Sequence, residues 1–255
     1  MDQAPAPRLG GASGHRRGAP GQAGFLGPRT VLEGTHGLFH GFARSIEGNY
    51  GVLTDDFGSQ WYMESLTFKP YATGTMNQPY IDCALRLRKR GIDPKDVKEI
   101  LCETAEGYVH RLWDPLPSKH RPANAYAAKF SAPFNIAVAF ITGGAGLSAF
   151  TEETLKDPRI LALAAKVRYI VDPKNPYPKA FTGHIRATLK DGKVVEERQP
   201  HIRGGAKEPL SRADIEAKFR GNCEYGGWTK SQAQRFLDGV PRFFDGPLDL
   251  KPLRG

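Results

Sequence analysis

An α+β fold, with a mainly antiparallel sheet flanked by helices and further helices toward both chain ends, is what this 255-residue sequence predicts. The first ground is a hairpin, "GHIRATLKDGKVVEERQ", whose Asp191-Gly192 turn joins two alternating runs. The second is the order of the other apolar segments, which mixes strand-like and helix-like patterns without forming a regular βαβ series. The third is a capped helical stretch that follows the hairpin, with Ser211 three residues before Asp214.

In chain order, residues 1–24 are rich in Gly, Pro, Ala and Arg without periodicity, the texture of a disordered tail. "AGFLGPRTVLEGTHGLFHGFA" reads as a helix end, a Gly-Pro turn and a short helix. Trp61 to Phe68 reads as a strand. Asn77 is a plausible N-cap, Pro79 is tolerated in a first helical turn, and Tyr80, Cys83, Ala84 and Leu87 recur at helical spacing. Arg86, Arg88, Lys89 and Arg90 then sit where the helix dipole favours cations, a solvated helix end, with Gly91 closing it. "VKEILCET" reads as a strand. "NAYAAKFSAPFNIAVAFITGG" reads as a buried helix ending at Gly143-Gly144. Its apolar run is interrupted by Pro133, Asn135 and glycines, which argues against a membrane span. A helical stretch from Thr151 to Ala165, the strand "KVRYIVDP", the hairpin, and helices after Ser211 and from Thr229 to Leu237 complete the reading. Leu210 and Ile215 occupy the places of a hydrophobic staple.

Composition narrows function only loosely. The net charge of +9 suits an enzyme of anionic substrates and also weak nucleic-acid attraction, the latter resting on charge alone. Cys83, Cys102 and Cys223 are far apart and odd in number, without C-x-x-C spacing, which fits a reducing cytoplasm better than disulfides or zinc. The N-terminus lacks the apolar core of a signal peptide. Phosphate-loop, G-x-S-x-G and H-E-x-x-H motifs are missing. His36 and His40 have the i,i+4 spacing of a metal pair but no third ligand nearby, so no metal is expected. The constellation above this background is Lys69 at a strand end, the Thr73-Gly74-Thr75 loop and the helix start behind it, which reads either as a surface loop with a solvated lysine or as a compact anion pocket in which Gly74 would let backbone N–H groups approach a ligand.

Four segments, "FKPYATGTMNQPYIDCALRLRKRGI", "AAKFSAPFNIAVAFITGG", "ATLKDGKVVEER" and "GGAKEPLSRADIEAKFRGN", occur in an order and at distances that resemble the C-terminal half of the MmgE/PrpD family. "GFLGPRTVLEGTHGLFHGFA" resembles the end of that family's N-terminal helical domain. The resemblance implies a division into a tail (1–22), a remnant of the helical domain (23–54), an α+β domain (55–210) and C-terminal helices returning toward the helical domain (211–255). It implies cofactor-free lyase or isomerase chemistry on a small polycarboxylate, of the kind performed by 2-methylcitrate dehydratase, cis-aconitate decarboxylase and iminodisuccinate epimerase. It also implies a homodimer for the full-length family protein; no nucleic-acid or membrane partner is expected. Lys69 would hold a substrate carboxylate in a cleft between two domains, with Thr75 and Gln78 facing it. Gly74 stands where the decarboxylase has a histidine and Phe134 where the family has a tyrosine, departures that argue against decarboxylation.

Family members are nearly twice as long, so the resemblance implies a truncated chain, inactive alone, whose main acid–base residues lie in missing sequence. A coding string compatible with MDQAPAPRLG gives WTKRLHPGW when read one base later, similar to a family segment. Residues 1–22 are therefore read either as an out-of-frame translation of that segment, its lysine encoded across Gln3 and Ala4, or as a natural disordered tail. The alternative to an enzyme is a non-catalytic α+β folding or dimerisation fragment.

Overall fold

The computed structural model describes Gly24, Gly27, residues 29–243, 245 and 246. The two readings of residues 1–22 fall outside the described residues. The chain divides into two compact units, Met1–Trp61 and Tyr62–Gly255.

In the first unit, helix α1 (Leu38–Ala43) is six residues long and closes on Arg44 in the left-handed region, φ 56°. A helix this short gains little from propensity and depends on packing. Among the unit's described residues only Gly37 is buried, while Val31, Phe42 and Phe57 are exposed. Tyr50 stacks near Phe39 at 5.0 Å and donates to the Ile46 carbonyl at 2.6 Å. His36 precedes α1, so it does not share a helix face with His40.

The second unit opens with a correction. Residues 61–68 form no strand. Tyr62–Ser65 is a 3-10 turn, and Met63, Leu66 and Phe68 are exposed. Apolar side chains made this segment strand-like, yet no strand pairs beside it, and Phe68 N–H makes one bond, to the Gly204 carbonyl at 3.0 Å. The turn Thr75–Asn77 leads into α2 (Gln78–Lys89), with Pro79 in the first turn and Tyr80, Ile81, Cys83, Ala84 and Leu87 buried. The basic end of α2 is not a solvated cluster. Arg86 reaches Glu197 at 2.8 Å and Gln199 at 2.6 Å, and Arg90 reaches Glu197 at 2.9 Å. Arg88 donates to the Phe140 and Ile141 carbonyls at 2.7 and 2.6 Å. These cations satisfy the open carbonyls of a neighbouring helix end and an acidic strand residue.

Strand β1 (Val97–Thr104) follows, then α3 (Leu116–His120), α4 (Ala125–Ala128), α5 (Ala132–Thr142), α6 (Glu152–Leu155), α7 (Pro158–Ala164) and β2 (Val167–Val171). The long helix expected from Asn124 is broken in two, because the Ser131 hydroxyl accepts from Phe134 N–H at 3.0 Å and Pro133 opens a new first turn. The stretch from Thr151 is likewise divided where Asp157 caps α7 ahead of Pro158. α5 ends as expected, on Gly143 at φ 82°. Residues Ala132 to Phe140 are all buried, and each large side chain among them contributes about 1.5–3 kcal/mol by leaving water. Among the described residues no helix is long and apolar enough to cross a membrane.

Strands β3 (Gly183–Leu189) and β4 (Val194–Gln199) form the expected hairpin, with Gly192 at φ 87° in the turn. The sheet order is β2-β1-β3-β4. It is mixed: β1 pairs with β3 and β3 with β4 antiparallel, whereas β1 and β2 are parallel, Ile100 opposite Val167. Ile100, Cys102, Ile185, Ala187 and Val195 are buried. α2 packs on β3, β4 and α5, and α5 packs on α7. Elsewhere on the sheet, His184 lies between Glu103 at 2.7 Å and Glu196 at 2.6 Å.

The last α-helices among the described residues are α8 (Arg212–Tyr225) and α9 (Lys230–Gly239), each opened by a capping box, Ser211 with Asp214 and Thr229 with Gln232. α8 has no buried residue. Its Phe219 stacks on Phe236 of α9 at 5.1 Å.

Candidate anion-binding site

The loop before α2 is stitched to one backbone oxygen. The Lys129 carbonyl accepts from Gly74 N–H at 3.1 Å, the Thr73 hydroxyl at 2.7 Å and the Asn77 amide at 3.0 Å. Asn77 therefore clamps the loop and does not cap the helix with its side chain. Gly74 has an ordinary φ of −58°, and its N–H is spent on this clamp. The expectation that Gly74 offers its N–H to a ligand is thus corrected. A Cβ at Gly74 would meet the Lys129 carbonyl and the Phe130 ring at 3.4 Å, an ordinary contact, so the backbone there does not require glycine.

Beside this loop lies a cleft of about 1010 Å³, lined wholly by residues of the second unit. Lys69, His110, Arg111, Lys129 and Lys218 line it, and no aspartate or glutamate does. Among the described residues none of these five forms an ion pair with a carboxylate. Clustered positive charge without counter-charge focuses a field that attracts anions.

Each basic group arrives differently. Lys69 is exposed at the mouth of the clamped loop, and Thr75 lines the wall after it. His110 and Arg111 ride on a π-helical turn, Val109–Trp113, a geometry frequent at functional sites. That turn is anchored by Trp113, whose indole donates to the Thr104 hydroxyl at 2.9 Å and packs edge-on to Tyr80 at 5.6 Å. Leu112 and Trp113 are buried while His110 and Arg111 are exposed. Lys129 holds its ammonium 5.7 Å from the centre of the Phe150 ring. Lys218 comes from α8 and is half-buried. Burial pushes its pKa down, and the charge of Lys69 pushes it further in the same direction.

Aromatic side chains add to the cleft wall. Tyr177 and Phe181 line it, with Tyr108 packed on Tyr177 at 4.5 Å. A Cβ on Gly107 would come within 2.6 Å of the Tyr177 ring, so glycine there lets the ring lie flat on the backbone. Tyr71, also in the lining, donates to Asp82 at 2.5 Å. Asp82 in turn faces Arg203 at 3.3 Å, and Arg203 reaches Asp214 at 3.6 Å. Burial raises the pKa of Asp82, although the Tyr71 hydrogen bond and the Arg203 charge pull it back.

Of the residues singled out in the sequence, Lys69 and Thr75 come together in this cleft. Gln78 does not line it; its side chain is fully buried and both amide atoms lack a hydrogen-bond partner among the described residues. His110, Arg111, Lys129 and Lys218 were not singled out, since they belong to separate segments with no shared spacing. Among the described residues no cluster of three or more His, Cys, Asp or Glu is placed to hold a metal ion.

A sequence model described as the MmgE/PrpD C-terminal domain matches residues 71–240. Cis-aconitate decarboxylase of Homo sapiens is 27% identical over 212 residues, covering 78% of this chain and 41% of that protein. Cis-aconitate decarboxylase of Mus musculus is 26% identical over 163 residues, covering 63% of this chain and 33% of that protein. The chain thus spans less than half the length of either relative.

Proposed function

The chain belongs to the MmgE/PrpD family, and from that premise we propose that its basic cleft binds a small polycarboxylate for cofactor-free lyase or isomerase chemistry. The observation that carries this reading is the ring of Lys69, His110, Arg111, Lys129 and Lys218 with no acidic residue in the lining. Removing a proton from the carbon beside a carboxylate places negative charge on the carboxylate oxygens. Ammonium and guanidinium groups already aimed at those oxygens stabilise that charge without reorganising. Lys69 acts as an electrostatic anchor. His110 is the imidazole in the cleft, the residue type most often used to move a proton near neutral pH.

Dehydration or isomerisation fits these residues better than decarboxylation. Gly74 offers no side chain at the position of the decarboxylase histidine, and Phe134, in place of a tyrosine, is fully buried in α5 without a hydroxyl. A homodimer, which the resemblance implies for the full-length family protein, and the reducing cytoplasm that suits the three separate cysteines accompany this reading.

The test is hydrogen exchange in D₂O. The 255-residue protein is incubated with citrate, tricarballylate or succinate while proton NMR follows the C–H signals beside each carboxylate and any new alkene signal. Although the sequence reading expects this chain to be inactive alone, His110 in the cleft supplies a candidate proton carrier, so exchange or elimination is expected with one of these acids, slowed by about 10²-fold or more in His110→Gln. Binding without exchange would place the proton-transfer group outside this chain. A failure to bind any of the acids, with a dimer still formed, would favour the non-catalytic fragment.

A further inference from the structure

We propose that Lys218 of α8 is a second carboxylate anchor of this cleft, so that the site holds acids with two carboxylates between Lys218 and Lys69 and discriminates against monocarboxylates. The inference rests on the reading of the cleft as a polycarboxylate site.

Lys69 and Lys218 belong to different elements, the loop before α2 and the middle of α8, yet both line one cleft. Neither has a carboxylate partner among the described residues. They are close enough for the charge of Lys69 to disfavour the charged form of Lys218. Two like charges held in mutual view are relieved by an anion bound between them, and a dianion can neutralise both. Of the other basic groups, Lys129 keeps its ammonium near the Phe150 ring, and His110 and Arg111 are more exposed than the half-buried Lys218.

The orientation of α8 supports the assignment. Asn222, one helical turn beyond Lys218, also lines the cleft, so α8 presents an i,i+4 face to it. Both residues are polar, and α8 has no fully buried residue; its half-buried Ile215 and Phe219 do not line the cleft. What fixes the start of the helix is a polar tether: Arg203 bridges Asp82 of α2 and Asp214 of the α8 capping box. A helix whose start is tethered by charge, and which lines the cleft with the polar Lys218 and Asn222, suits a role in presenting Lys218 to a ligand.

Calorimetric titration with glutarate, which has two carboxylates, and butyrate, which has one, tests this on the full chain. Glutarate is expected to bind the unaltered protein more tightly than butyrate. Lys218→Gln should weaken glutarate by about tenfold or more, the usual size of a charge-assisted hydrogen bond, and leave butyrate within about twofold. Lys218→Arg should restore most of the glutarate affinity, and Lys69→Gln should weaken both acids. Unchanged glutarate affinity in Lys218→Gln would overturn the inference while the cleft remains an anion site. An equal loss for both acids would also overturn it, since that marks a general disturbance of the cleft. Failure of the unaltered protein to bind either acid would remove the polycarboxylate reading, and the role of Lys218 with it.

Discussion

Lys69 and Lys218 reach one cleft from regions held in opposite ways. The loop carrying Lys69 is clamped to the Lys129 carbonyl by three donors and runs into α2, a helix with eight buried residues. The helix carrying Lys218 has none, and is held by a capping box, a stacked phenylalanine pair and the Arg203 bridge. One wall is part of the core. The other is a polar attachment, whose opening costs less apolar burial. The contrast suggests a site with a fixed side and an adjustable side.

The largest expected effect separates the two walls by stability. Phe134→Ala, in the buried α5 behind the clamp, should lower unfolding free energy by about 3–5 kcal/mol. Ile215→Ala, half-buried in α8, should cost about 1 kcal/mol or less. Urea unfolding monitored by far-UV circular dichroism measures both. Similar losses would erase the distinction.

Next in size is the clamp. Asn77→Ala removes two hydrogen bonds, to the Thr73 hydroxyl and the Lys129 carbonyl, at a fully buried position. A loss of about 1–3 kcal/mol is expected, with faster amide hydrogen exchange across residues 73–77 and little change in α8. Equal loosening of both regions would show that they are not independent.

Gln78 gives a smaller effect of opposite sign. Its carboxamide is buried with neither atom bonded among the described residues, so Gln78→Met removes a desolvation cost without leaving a cavity. The variant should gain about 1 kcal/mol in thermal or urea unfolding. A loss instead would show that the amide is satisfied in solution and supports the wall.

The smallest effect is a difference in proton affinity along the tether. Asp82 is buried, and its pKa is raised; Asp214 is exposed, and hydrogen bonds from Ser211 lower its pKa. Stability linked to Asp82 is therefore full below the ordinary aspartate value of about 3.9 and is lost as pH rises through its higher folded value. Stability linked to Asp214 is full above that ordinary value and is lost as pH falls through its lower one. Carbon-13 NMR titration of the two carboxyl groups should place their midpoints on opposite sides of the ordinary value. The reverse order would break the account of the tether.

The two walls also differ in how far the sequence discloses them. Local signals were legible: the Asp191-Gly192 turn, the glycine that ends α5, the Ser211 capping box and the run Val97–Thr104 all correspond to structure. Lys69 and Thr75 were visible because a lysine, a small-residue loop and a helix start lie side by side in sequence. The parallel pairing of β1 with β2 was not legible, since the helices between them leave no turn chemistry to mark it. Apolar content alone misled at residues 61–68, which have no partner strand among the described residues. The cations of α2 looked solvated because the acceptors they find, on β4 and at the end of α5, are distant in sequence. His110, Lys129 and Lys218 converge only through tertiary packing, so no spacing could announce them.

The central claim, that one basic cleft binds a polycarboxylate between these two walls, is tested most directly by mapping where such an acid binds. Tricarballylate is titrated into nitrogen-15-labelled protein while backbone amide signals are followed. The account predicts saturable shifts concentrated at Lys69–Met76, His110–Arg111 and Lys218–Asn222. Shifts centred instead on the Glu103–His184–Glu196 cluster of the sheet, or no saturable shifts at all, would contradict it.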